Sequence, residues 1–299
     1  MKLKPTRNIP SVYHSKSFRE KLDALIDVTL KEDIGECDHT SFACIPANSK
    51  ADGQLLVKDD GILAGVEVAK RIFKKLDKKT TLSTFYRDGD WVENGEIAFI
   101  VNGNARMMHT AERLVLNVMQ RMSGIATMAH KLSKLCEGTN AVILDTRKTT
   151  PGIRLLEKWA VHIGGATNHR WGLYDMILIK DNHVHCSGGI KNAIKNAREY
   201  LKESQKKLEI EIEVGSLDEL KEVLDTGGVN RILLDNFSPD LVKKATHLID
   251  GKYKTEASGG ITEKNIRQYA LAGVDYISVG ALTHSIKSLD LSLKIYPVE

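Results

Sequence analysis

RILLDNFSPDLVKKATHLIDGKYKTEASGGITEKNIRQYALAGVDYISVG, residues 231–280, carries the pattern that decides the fold. Three short β-type runs, RILLD (231–235), YKTEAS (253–258) and YISVG (276–280), alternate with two helical segments, Leu241–Ile249 and Ile266–Leu271. Apolar positions in the runs suit a strand buried on at least one face, while the intervening apolar residues recur at helical spacing. Repeated βα units imply a parallel sheet with right-handed crossovers. The pattern extends upstream through EIEIEV (209–214), with a helix over Leu217–Leu224, and through MILIK (176–180) to AVILD (141–145). Six or seven such strands fit an open α/β barrel of TIM-like type. No GxGxxG follows the first of them, which argues against a dinucleotide-binding sheet.

The first part of the chain has a different rhythm. A helical pattern over residues 17–34 places Phe18, Leu22, Leu25, Ile26 and Leu30 on one face. Short β-like segments follow at 53–57, 61–64 and 97–101, with a helix over Val66–Leu76 among them. This predicts a small α+β domain, sandwich-like, with an antiparallel sheet. A long helix then carries Leu114, Val118, Met119, Met122 and Ile125, with Thr110 read as its N-cap. The expected domains are residues 1–122 and 123–299, with residues 1–16 as a loose arm and the C-terminal tail packing back on the first domain.

Bulk properties narrow the function. The chain has 299 residues, 42% of them apolar, enough for a large core. Its net charge is +4, from 43 basic and 39 acidic residues, too mild and too dispersed for a nucleic-acid binder. No apolar stretch approaches the ~20 residues needed to cross a bilayer, and the polar N-terminus has no apolar core of a secretory signal. The four cysteines, Cys37, Cys44, Cys136 and Cys186, form no CxxC pair and suit a reducing, cytoplasmic setting.

Chemistry in a βα barrel sits where its strands end. Asp145, Arg147 and Lys148 follow the first strand, and Lys180-Asp181-Asn182-His183 the second. Asn168-His169-Arg170 lies between them. Glu211 and Glu213 alternate on the third strand and so share a face. Facing the interior, they need a cation or a lysine partner. Asp235 ends the fourth strand and either caps the next helix or joins Glu213 in holding Mg²⁺, whose preference is for oxygen ligands. Ser258-Gly259-Gly260 and Gly280 end the last two strands, the usual phosphate position, although tight turns alone would also use glycine. His183-Val184-His185-Cys186 has zinc-like spacing but no second ligand pair. The lysines of 202–207 read as a solvated helix end, and Trp159 and Trp171 as packing residues. The rim thus offers cations for polyanions, a carboxylate pair and a phosphate cradle.

Those same stretches resemble one known family. Residues 144–154 (LDTRKTTPGIR), 168–175 (NHRWGLYD), 179–183 (IKDNH), 212–214 (IEV), 234–236 (LDN), 258–260 (SGG) and 279–284 (VGALTH) resemble, in order, the quinolinate phosphoribosyltransferases. Residues 111–114 (AERL) and 123–127 (SGIAT) extend the resemblance, which runs from about residue 20 to the end. It implies phosphoribosyl transfer from 5-phosphoribosyl 1-pyrophosphate to quinolinate with decarboxylation, Mg²⁺ as cofactor, and a place in NAD synthesis. It further implies that Arg147, Arg170 and Lys180 bind the quinolinate carboxylates, with His169 beside them. Lys148 would contact the phosphoribosyl donor and act in catalysis with Glu213 and Asp235, which would serve the ribose hydroxyls and Mg²⁺. Ser258, Gly259, Gly260 and Gly280 would hold the 5′-phosphate, with His284 near. Arg113 would enter the site of a second subunit, making the protein at least a homodimer. The rival readings are a phosphoribosyltransferase of the same fold acting on another carboxylated base, and a non-catalytic phosphate-binding barrel.

Overall fold

The computed structural model describes residue 13 and residues 15–298. The chain divides into two units: residues up to 130 with 149–165 and 283–299, and residues 131–148 with 166–282. In chain order the first part contains α1 (Lys16–Ile34), α2 (His39–Cys44), β1 (Lys50–Val57), β2 (Gly61–Ile62), α3 (Val66–Leu76), β3 (Thr81–Thr84), β4 (Trp91–Val92), β5 (Ile97–Asn104) and α4 (Ala105–Leu135). The remainder contains β6 (Val142–Leu144), α5 (Arg154–Ile163), β7 (Ile177–Ile179), α6 (Asp181–Ser187), α7 (Ile190–Glu203), β8 (Ile210–Val214), α8 (Leu217–Thr226), β9 (Arg231–Asp235), α9 (Pro239–Ile249), β10 (Lys254–Ser258), α10 (Ile266–Leu271), β11 (Tyr276–Ser278), α11 (Ala281–His284) and β12 (Leu291–Val298).

In the first unit, an antiparallel sheet runs β12-β1-β5-β3. Alternate residues of β1, Ala51, Gly53, Leu55 and Val57, are buried, as one-sided burial of a strand requires. The C-terminal β12 pairs with β1 along its whole length, so the tail completes the sheet begun by residue 50. The expected boundary at 122/123 falls inside α4, and α5 is counted with the first unit.

One local expectation needs correction. Thr110 is not the N-cap of the long helix. The helix begins five residues earlier, and Asn104 accepts the Met107 N–H at 3.2 Å. The Thr110 hydroxyl instead lies 3.0 Å from the Arg106 carbonyl and 2.7 Å from the Asp38 carboxylate, which lets a threonine sit inside a helix. The arm of residues 1–16 lies outside the described residues, except at Tyr13, Ser15 and Lys16. Tyr13 is buried, stacked on Trp159 at 5.8 Å and edge-on to Phe18 at 5.2 Å. Ser15 accepts the Phe18 N–H at 3.1 Å and caps α1, which starts at Lys16.

The SGIAT motif is a fastening inside the first unit. Ser123 Oγ accepts the Ala64 N–H at 2.9 Å, and Thr127 Oγ1 accepts that of Ile62 at 2.9 Å. A Cβ on Gly124 would lie 2.3 Å from the Lys287 carbonyl oxygen and 3.0 Å from the Ser288 Cα. Since main chain cannot yield as a side-chain tip can, Gly124→Ala is expected to destabilise the protein by roughly 1–3 kcal/mol. Thermal unfolding of the variant checks this; an unchanged midpoint would mean the chain before β12 is free to shift.

The second unit holds a wholly parallel sheet, β6-β11-β10-β9-β8-β7. Thr167 adds a single parallel bridge to Leu144, a seventh position beside the six strands. One face carries Ile210, Ile212, Val214, Ile232, Leu234, Ala257 and Ile277, all buried, as the helix-covered side of a βα sheet should be. The opposite face carries Glu211 and Glu213 on β8, Arg231, Leu233 and Asp235 on β9, and Glu256 and Ser258 on β10. Register sets Glu211 beside Arg231, Glu213 beside Leu233, and Asp235 beside Ser258. Charge on that face is therefore a property of the strands themselves.

Candidate active site

The second unit alone gathers most of the expected site residues at one end of its sheet. Arg147 and Lys148 follow β6, Lys180 follows β7, Glu213 and Asp235 end β8 and β9, and Ser258 ends β10. Arg113, exposed on α4, and His284, at the end of α11, belong to the first unit.

Arg147 and Arg170 are close enough to repel. Burial first, and the Arg147 charge second, lower the proton affinity of the Arg170 guanidinium, against the pull of Glu211 and Asp175. The Arg170 main chain is fixed from both sides. Asp145, fully buried, accepts the His169 N–H at 2.8 Å and the Asn168 side-chain amide at 2.7 Å. Asp145 is thus a brace for residues 168–169 rather than an open rim charge. Asp175 accepts the Trp171 and Gly172 N–H groups at 2.7 and 3.0 Å and closes the loop beyond.

Beneath lies a buried ionic cluster. His169 Nε2 sits 3.0 Å from Glu211 and 3.3 Å from Glu256, and Arg231 sits 3.0 Å from Glu256. Burial alone would lower the His169 imidazole, but hydrogen bonds to Glu211 and Glu256, and their charges, hold a proton on Nε2, while the Arg170 N–H, directed at Nδ1 from 2.7 Å, opposes a second proton on the ring. Glu211 is pushed up to about 7, by burial first and then by Glu256. Burial opposes the charge on Glu256 too, but His169, Ser278 and Arg231 outweigh it and hold that group low. His169, Glu211 and Glu256 have metal-like spacing, with donor atoms within 4.8 Å of one another, but Arg231 already supplies the cation. Glu256 and Arg231 were not expected in the site. The signal for them was periodicity: each stands an even number of residues before a rim residue on its own strand, Glu256 before Ser258 and Arg231 before Asp235.

Glu213 forms a direct ion pair with Lys180, the lysine partner its interior position required. Asp235 does not cap α9; Ser238 does, accepting the Leu241 N–H at 3.4 Å. Burial and then the Glu213 charge raise the Asp235 carboxyl, opposed by Lys180 and Lys148. The two carboxylates therefore sense each other across the β8–β9 pair. Asn236 has φ +57° and donates its side-chain amide to Asp235 at 2.7 Å. Gly259 is required beside it: at φ +92°, a Cβ there would lie 2.2 Å from Asn236 Oδ1. Gly260 also has positive φ, and Asn265 ties its carbonyl at 3.1 Å, so the loop after β10 is a defined turn. His183 is no zinc ligand candidate: its Nδ1 accepts the Lys180 N–H at 2.9 Å at the start of α6.

An α/β barrel with paired arginines, a lysine and two carboxylates at one rim defines a protein built for polyanionic substrates. Residues 38–123 match the N-terminal domain of the quinolinate phosphoribosyl transferases, and residues 125–294 match their C-terminal domain. The chain belongs to this family. It is 45% identical over 289 residues to the Arabidopsis thaliana chloroplastic nicotinate-nucleotide pyrophosphorylase [carboxylating], covering 92% of this chain and 82% of the relative. It is 43% identical over 289 residues to the Nicotiana tabacum mitochondrial quinolinate phosphoribosyltransferase [decarboxylating] 2b, with the same 92% and 82% covered. The crystal structure of NadC from Streptococcus pyogenes superposes with a TM-score of 0.87 at 36% identity, covering 94% of this chain and 99% of that one.

Proposed function

We propose that the protein joins quinolinate to 5-phosphoribosyl 1-pyrophosphate, giving nicotinate mononucleotide, carbon dioxide and pyrophosphate for NAD synthesis. The observation that carries this is the pairing of Arg147 with Arg170 at the sheet end that also carries Lys180 and the carboxylates Glu213 and Asp235. Two guanidiniums held within repulsive range are stabilised by an anion between them, and a dicarboxylate offers one group to each. The pyridine nitrogen attacks C1′ of the ribose as the bond to pyrophosphate breaks. Positive charge developing on the ribose is stabilised by Glu213 or Asp235. The ribosylated ring nitrogen is then cationic, and the adjacent carboxylate leaves as carbon dioxide. Its bonding pair stays on C2, which takes up a proton. Lys148, exposed after β6, serves the pyrophosphate end, and Ser258, Gly259, Gly260 and Gly280 serve the 5′-phosphate.

The donor set suits Mg²⁺: two oxygen-bearing groups on neighbouring strands whose mutual repulsion a cation relieves. Glu213 and Asp235 would hold the ion, which would supply charge neutralisation for the departing pyrophosphate. Asp235→Asn and Glu213→Gln are expected to lower turnover and alter its Mg²⁺ dependence, with quinolinate affinity nearly intact. A Mg²⁺ titration of each variant decides; wild-type curves would make these carboxylates structural. Four unpaired thiols support a reducing compartment, with the cytoplasm our reading, although the plant relatives above are named as chloroplastic and mitochondrial. We take the active form to be a homodimer in which Arg113 serves the partner's site.

Equal release of carbon dioxide and pyrophosphate from quinolinate and the phosphoribosyl donor, with nicotinate as control, tests the reading. Turnover of nicotinate without quinolinate would replace it by the monocarboxylate alternative.

A further inference from the structure

Both ring nitrogens of His169 are engaged by the protein itself. Nε2 faces Glu211 and Glu256 at 3.0 and 3.3 Å, inside the sheet. Nδ1 accepts the N–H of Arg170 at 2.7 Å. The ring is only 8% exposed, and Asp145 holds its main-chain N–H at 2.8 Å. This differs from a histidine that lends a nitrogen to a substrate carboxylate.

We propose that His169 is a positioning residue: anchored through Nε2 by the buried Glu211 and Glu256, it fixes the Arg170 main chain through Nδ1 and so aims that guanidinium at a carboxylate of quinolinate. The inference rests on the functional reading above, in which Arg170 grips the substrate. It also gives Glu211, Glu256 and Arg231 a task, since none reaches the rim. Two carboxylates grip one ring nitrogen from strands β8 and β10, so the ring cannot turn without leaving buried charge unpaired. Arg231 keeps the second carboxylate compensated and is itself held over the Tyr276 ring at 4.2 Å. The positional information runs from the rigid sheet to a loop, which is where a binding arginine needs it. It also fixes the tautomer: the proton belongs on Nε2, because an Nδ1 proton would point at the Arg170 N–H.

A double-mutant cycle on quinolinate affinity, measured by calorimetry, separates this role from direct contact. His169→Gln keeps an amide for the carboxylates but removes the acceptor of the Arg170 N–H. It is expected to weaken binding by about tenfold. In the Arg170→Ala background the same change should cost nothing further, because no guanidinium is left to aim. Additive losses would overturn the proposal and leave the function standing. Arg170→Ala binding as tightly as wild type would overturn the carboxylate pocket and this proposal with it. Should His169→Gln not fold, the isosteric Glu211→Gln replaces it in the same cycle, with the same expected non-additivity. Nitrogen-15 spectra of the wild-type imidazole give a check independent of any variant. Nδ1 without a proton at neutral pH agrees with the geometry; a protonated Nδ1 overturns it.

Discussion

Arg147→Ala and Arg170→Ala are each expected to weaken quinolinate binding severely while leaving the fold intact. Each substitution removes a charge-assisted contact to a carboxylate, worth roughly 1.5–3 kcal/mol or more where water is excluded. That corresponds to roughly ten- to a hundredfold in affinity. The two guanidiniums repel each other in the free protein, so removing one relieves strain on the other as well as costing a substrate contact. Stability should therefore hold or rise slightly as affinity falls, the reverse of what a structural arginine would show. Calorimetry with quinolinate, beside thermal unfolding of the same samples, reads both quantities. Unchanged affinity in both variants would remove the carboxylate pocket from this rim.

Much of this was legible because barrel strands and rim residues obey short-range rules. The run at 231–235 is observed with those limits, as β9, and the helix read over Ile266–Leu271 is likewise α10. Their apolar periods and flanking turn residues act locally, and nothing distant overrides them. Thr110 failed as a cap because hydrogen bonding inside a helix satisfies threonine equally well, and Asn104 lay closer to the end of β5. The role of Asp145 was hidden for another reason. Its partners, the Asn168 side chain and the His169 main chain, are more than twenty residues on, and no spacing rule connects them.

The buried cluster shows where periodicity stops. Alternation put Glu211 and Glu213 on one face, but it could not say that one meets His169 and the other Lys180. Lys180 follows the neighbouring β7, but His169 follows the single bridge of Thr167 to β6, at the other end of the strand order, and loop paths are set by the whole barrel. Arg231 and Glu256 drew no reading of their own, because alternation alone does not say which polar strand residues meet inside the sheet. The buried Glu256 and the half-buried Arg231 meet only once the strands lie in register.

Arg113→Ala is expected to be nearly inactive, and so is Lys148→Ala, yet a mixture of the two dead proteins should work. Arg113 is exposed on α4, off the stripe of Ala111, Leu114 and Val115 that faces the core. An arginine so placed contributes little to its own unit's stability, and in the dimer we propose it serves the partner's substrate. Closed two-fold symmetry makes the exchange reciprocal: each subunit lends Arg113 and receives one. In a mixed dimer, one site then combines the variant Lys148 position with the variant Arg113 position, and the other site has neither defect. At full random exchange half the dimers are mixed, so roughly a quarter of wild-type activity should return if sites act independently. Activity is measured after subunit exchange, itself verified with differently tagged chains. Exchange without recovery would mean that Arg113 acts within its own subunit or does not act on substrate at all, and the dimer would lose its part in catalysis.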